Sequence, residues 1–167
     1  SADGTIQFWD LVTGQARGQP FIARSGSYSL AFSPDGKVLA SGSGSGDGTI
    51  QLWDVATAQT RGQPFEHRGS VFSLVFSSDG KILASNSGLG TVQLWDVATG
   101  RVMGQSLIAY RGGKLAFSPN GSWLVLGGAD GTIRLWDLAI RDSLAGLPLT
   151  GHSDTVYSVA FSPDGKV

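Results

Sequence analysis

The chain has 167 residues, 25 glycines, no cysteine and a formal net charge of −1 from 12 basic and 13 acidic side chains. That balance gives no bulk attraction to nucleic acid or to an anionic membrane surface, and the missing cysteine removes disulfides, thiolate metal sites and a cysteine nucleophile. A composition that is 41% hydrophobic and 15% charged suits short strands and tight turns better than helices, and no apolar run approaches the roughly 18 residues of a membrane span, so the reading is a soluble, cytoplasmic all-β protein.

The first predicted element is the strand Thr5-Ile6-Gln7-Phe8-Trp9 within Asp3 to Asp10, followed by a polar stretch, Gln15 to Phe21. Close copies of Asp3 to Asp10 recur at Asp47 to Asp54, Leu89 to Asp96 and Asp130 to Asp137, which spaces the tryptophans at 9, 53, 95 and 136. A period of about 40 to 45 residues ending in Trp-Asp marks a repeat architecture. The first complete unit has a strand over Tyr28 to Phe32, a Ser33-Pro34-Asp35-Gly36 turn, a second strand over Lys37 to Ser43, a third over Thr49 to Val55 and a weaker edge strand over Gln59 to Phe65. Proline preset near φ −65° and glycine free to take positive φ make that turn a hairpin. The second unit runs Val71 to Phe76, Lys81 to Ser87, Gly90 to Val97 and Val102 to Leu107; the third runs Lys114 to Phe117, Trp123 to Gly127, Gly131 to Leu138 and Leu144 to Leu149. Thr155 to Phe161 then opens another unit as a first strand. The N-terminal segment supplies a third and a fourth strand, so the two ends are complementary, although joining them leaves the shared unit about four residues short in its second strand.

Four motifs kept in register resemble the WD-repeat β-propeller family over essentially the whole chain. They are the Trp-Asp pairs, the Phe-Ser-Pro-Asp-Gly-Lys turns at 32 to 37 and 161 to 166 with variants at 76 and 117, the Leu-Ala-Ser at 39 to 41 and 83 to 85, and Gly151-His152. The resemblance implies four blades' worth of four-stranded antiparallel sheets per chain. The blades fall at about 25–66, 67–108 and 109–150, with one composite blade split between 1–24 and 151–167. It also implies a structural hydrogen-bonded group in each blade, linking a Gly-His histidine, a strand-two hydroxyl, the Asp before Gly-Thr and the Trp. Carried over, this joins Ser41 or Ser43 with Asp47 and Trp53, Asp130 with Trp136, and His152 with Asp3 and Trp9; Trp95 stands in the blade whose Asp is replaced near Leu89. Where Gly-His is expected, the sequence has Arg24-Ser25-Gly26, His67-Arg68-Gly69 and Tyr110-Arg111-Gly112, so most groups should be incomplete, at about 1 kcal/mol per net hydrogen bond not formed.

A search for chemistry returns little. The two histidines, His67 and His152, precede first strands, Glu66 is the only glutamate, and the aspartates sit mostly in turns where they bond their own backbone. No metal-ligand spacing or phosphate-binding glycine pattern occurs, so no catalytic, metal or cofactor residue is assigned. What distinguishes the repeats is the loop before each first strand together with Lys114, which stands where other units have Ser29, Ser73 and Ser158. Arg24, His67, Arg68, Tyr110, Arg111 and Lys114 form the candidate interaction face, because Arg and Tyr are common interface anchors. The leading expectation is a non-catalytic scaffold for other proteins that also pairs with itself, two chains sharing their split blades to close an eight-bladed homodimer. The alternatives are a closed four-bladed monomer, a piece of a larger signalling protein's propeller, and a propeller that binds a small molecule or sugar.

Overall fold

The computed structural model describes residues 3–23, 26–44, 46–109, 112–139 and 147–166. All assigned elements are strands. β1 (Thr5–Trp9) and β2 (Ala16–Ile22) form a two-stranded sheet. Blade one is β3 (Ser27–Phe32), β4 (Val38–Ser43), β5 (Thr49–Asp54) and β6 (Phe65–Glu66). Blade two is β7 (Val71–Phe76), β8 (Ile82–Ser87), β9 (Thr91–Asp96) and β10 (Leu107–Ile108), and blade three is β11 (Gly112–Phe117), β12 (Trp123–Gly128), β13 (Ile133–Asp137) and β14 (Leu147–Leu149). Within each blade the strands are antiparallel and adjacent in chain order, and the three registers superimpose: Leu39 faces Trp53, Leu83 faces Trp95 and Leu124 faces Trp136.

The turns explain why the strands begin and end where they do. Ser33 Oγ donates to Asp35 Oδ1 at 2.6 Å while Asp35 accepts the Lys37 N–H, and Ser77 with Asp79 and Ser162 with Asp164 repeat the arrangement. The aspartate of each Trp-Asp pair closes the next turn: Asp54 Oδ1 accepts the N–H and hydroxyl of Thr57 at 2.8 and 2.9 Å, and Asp10 and Asp96 do the same with Thr13 and Thr99. Hydrogen bonds from Thr57 hold the Asp54 carboxyl below the usual carboxylate range, and those from Ser33 do so for Asp35. These carboxylates serve local structure, because bonding to the ionised form is what depresses them.

Each blade has two apolar faces, and stacking covers them. Ala40, Ile50 and Leu52 of blade one pack against Leu74, Phe76, Leu83 and Trp95 of blade two. Ala84 and Val92 pack in turn against Leu115, Leu124 and Trp136 of blade three, while Ile6 and Phe21 of the β1–β2 pair cover Leu39 and Trp53. Burying side chains of this size contributes about 1.5–3 kcal/mol each. A hydroxyl stitches successive blades: Ser29 Oγ accepts the Leu74 N–H at 2.8 Å and Ser73 Oγ accepts the Leu115 N–H at 3.0 Å.

Three expectations change in detail. The fourth strands are shorter than predicted: β6 and β10 have two residues each, and Thr60 and Val102 contribute only single bridges to Trp53 and Trp95. Thr155 to Phe161 is not a regular strand. It lies along blade three through Val156 N–H to Gly128 O and Lys114 N–H to Tyr157 O, but among the described residues no second strand stands beside it to form a ladder. Among the described residues the composite blade is not assembled within one chain either: β1–β2 stands as a two-stranded sheet against blade one, while the C-terminal segment lies along blade three.

Candidate functional site

The face that each blade turns toward its predecessor carries a buried tryptophan, and what surrounds that tryptophan differs from blade to blade. In blade one, Trp53 Nε1 donates to Ser41 Oγ at 2.8 Å and the indole stacks on Phe21 at 5.6 Å. Blade two repeats both contacts, Trp95 Nε1 to Ser85 Oγ at 2.8 Å and Trp95 on Phe65 at 5.3 Å. The serine is placed by register, since Ser41 pairs with Gln51 and Ser85 with Gln93. In blade three Leu126 takes that register position opposite Arg134, and among the described residues the buried Trp136 Nε1 has no acceptor.

The second difference is an imidazole. His67 is buried; its Nδ1 lies 2.7 Å from Ser85 Oγ and its Nε2 3.2 Å from Thr91 Oγ1, which is 3.0 Å from Ser87 Oγ. Ser85 has one proton and accepts from Trp95, and its contact with Nδ1 is far shorter than its 3.5 Å approach to Gln93 O. The ring proton therefore sits on Nε2 and is donated to Thr91. Burial lowers the His67 pKa to about 4, so the ring is neutral at physiological pH. Leu89, in place of the usual turn aspartate, leaves the Thr91 hydroxyl to the histidine; in blade three Thr132 Oγ1 is held by Asp130 at 2.7 Å. Asp130 and Asp47 both accept the N–H two residues on and so cap their own turns.

Strand-four geometry shows which residues correspond to this histidine. The His67 N–H donates to Gly48 O, the Ala23 N–H to Gly4 O and the Ala109 N–H to Gly90 O. The position is thus Ala23, His67 and Ala109, not Arg24, His67 and Tyr110 as the sequence motif suggested. Blade three replaces both members of the polar pair, with Ala109 and Leu126, and the two pack into its apolar cluster. Blade one replaces only the histidine. Between the β1–β2 hairpin and blade one lies a cavity of about 290 Å³, lined by Ala23, Ser41, Ser43, Thr49, Gln51 and Trp53 among others.

The predicted interaction face is only partly gathered. Arg24, Tyr110 and Arg111 lie outside the described residues. Arg68 is exposed; Lys114 is exposed at the inner strand, its Nζ donating to Phe72 O at 3.0 Å. His67 belongs to the buried network and offers no side chain to that face. His152 is exposed beside Gly131, a glycine whose added Cβ would strike the His152 carbonyl. Its expected partner Trp9 is 62% exposed, against 5%, 3% and 1% for Trp53, Trp95 and Trp136, and Asp3 accepts from Thr5. Leu30 and Phe32, whose counterparts Leu74 and Phe76 are buried, stand 48% and 53% exposed, and Phe32 lines a trough with Trp9. Phe8 and Phe21 also line this trough, whose volume is about 1010 Å³.

Among the described residues no group of three or more His, Asp or Glu could hold a metal ion, and no helix is long and apolar enough to cross a membrane. A family model described as WD domain, G-beta repeat matches residues 20–54, 60–96, 113–137 and 146–167, more than half of the chain. No curated protein matches it.

Proposed function

Because the chain belongs to the WD-repeat family, whose domains generally mediate protein–protein association, we propose that it is a non-catalytic propeller scaffold that completes its ring with a second copy of itself. The observation carrying this reading is the uncovered apolar surface on β1 and β3, where Trp9, Leu30 and Phe32 are exposed although Trp95, Leu74 and Phe76 in blade two are buried. An apolar face of this kind beside a strand with one unpaired edge invites another strand. In a second copy, the segment from Thr155 onward has the first-strand sequence Thr-Val-Tyr-Ser-Val-Ala-Phe that this face lacks. Two such exchanges, related by a twofold axis, would close eight blades. Arg68, Lys114, Arg24, Tyr110 and Arg111 would then recur on the assembled ring as the face offered to other proteins. Light scattering tests the closure: a mass of two chains that falls to one in Trp9→Ser supports it, and a single-chain mass for the unmodified protein overturns it. A pull-down with Arg68, Tyr110, Arg111 and Lys114 changed to Ala tests the face, an unchanged set of bound proteins counting against it.

A further inference from the structure

The cavity beside blade one differs from the His67 site of blade two chiefly by the lack of an imidazole. Both sites have the 2.8 Å serine–tryptophan bond, the phenylalanine stacked on that tryptophan, and a second serine and a threonine at matching positions. Ala23 is the residue whose backbone occupies the histidine's place. We infer that this cavity is a binding site for a small neutral nitrogen heteroaromatic of the imidazole class, its ring bridging Ser41 Oγ and Thr49 Oγ1 as the His67 ring bridges Ser85 and Thr91.

Three observations carry the assignment. Among the described residues Thr49 Oγ1 has no hydrogen-bond partner, whereas Thr91 Oγ1 has two. Ser41 Oγ accepts from Trp53 and has only a 3.5 Å approach to Gln51 O, leaving its proton to a better acceptor, the part Nδ1 plays in blade two. Among the described residues no charged side chain lines the cavity, whose walls include Ile22, Trp53 and Pro64, so these walls offer a cation no counter-charge. A volume of about 290 Å³ exceeds that of an imidazole ring, and the lining also includes Thr60, Gln63 and Pro64, so the cavity has room for a short substituent on the ring. The site lies within one chain, so its test stands or falls apart from ring closure.

The probe is 4-methylimidazole, the side chain that Ala23 lacks, added at a pH where it is neutral and followed by the indole N–H resonances of the five tryptophans. The expected result is a saturable shift confined to Trp53, in the millimolar range for so small a ligand. Thr49→Val and Ser41→Ala each weaken binding at least fivefold, and Ala23→His abolishes it by supplying the ring from the chain. The inference is overturned by a titration without saturation, by equal binding of thiophene, which has no nitrogen, or by unchanged affinity in Thr49→Val. Thr49→Val removes a half-buried hydroxyl that has no hydrogen-bond partner among the described residues, and so keeps the test open even if Ala23→His does not fold.

Discussion

Blades one and two carry the same serine–tryptophan bond and the same aromatic stack, yet one encloses an imidazole and the other encloses space. The difference is chiefly one side chain at one register position, Ala23 against His67, with Asp47 in the turn where blade two has Leu89. Blade three shows a different outcome: it exchanges histidine and serine together for Ala109 and Leu126, and apolar packing replaces the polar group. Replacing one member of a buried polar group leaves a donor, an acceptor or a void behind, whereas replacing the members together can leave a sound core. Even blade three is not fully repaired, since among the described residues the buried Trp136 N–H has no acceptor.

The comparison can be broken most forcefully at the serines. Ser85→Ala orphans both Trp95 Nε1 and His67 Nδ1 and is expected to cost about 3 kcal/mol, while Ser41→Ala orphans Trp53 alone and costs about half as much. Urea denaturation of the two variants gives the ratio, and equal losses would mean that the imidazole adds nothing to the network. His67→Ala should turn blade two into a copy of blade one, at about 2 kcal/mol, and open a second site for 4-methylimidazole at Trp95. The same variant tests the protonation reading. His67 has its pKa lowered to about 4, below the 6.5 of an unfolded chain, so the unfolded state binds the extra proton first and stability falls as pH drops from 6.5 toward 4. Melting temperature across that window should decline in the unmodified protein, beyond whatever other groups contribute, more steeply than in His67→Ala. A smaller effect is expected in blade three, where Leu126→Ser alone loses apolar burial of about 2 kcal/mol but Ala109→His with Leu126→Ser should recover roughly 1 kcal/mol of coupling in a double-mutant cycle. Thr91→Val against Thr49→Val is the finest comparison: about 1 kcal/mol for the first and close to none for the second when no ligand is present.

The repeats, the hairpin turns and most of the strand plan were legible in the sequence because each depends on local chemistry. Pro34, Asp35 and Gly36 set their own turn, and the alternation of Val71 to Phe76 states its own faces. The identity of the buried histidine was not legible. The motif glycines Gly26 and Gly69 sit at different register positions, and the loop before blade three's first strand is shorter than the other two, so Arg24, His67 and Tyr110 line up by motif while Ala23, His67 and Ala109 line up in space. Only amide bonds across the sheet, from these residues to Gly4, Gly48 and Gly90, fix that register, and long-range pairing leaves no local signal. An alanine also draws no notice in a sequence, although at Ala23 it is the reason a cavity exists.

Lys114 has a consequence of a different kind. Ser29 and Ser73 each bond the amide of the next blade, which ties neighbouring blades into one cooperative unit, but Lys114 offers no hydroxyl to the amide of Val159. In an array stabilised by nearest-neighbour terms, the weakest junction decides where fraying starts. Amide hydrogen exchange should therefore run faster from Tyr157 to Phe161 than in the first strands β7 and β11, and slowest in β4 and β8, so that the segment offered to a second copy is also the one the chain releases most readily.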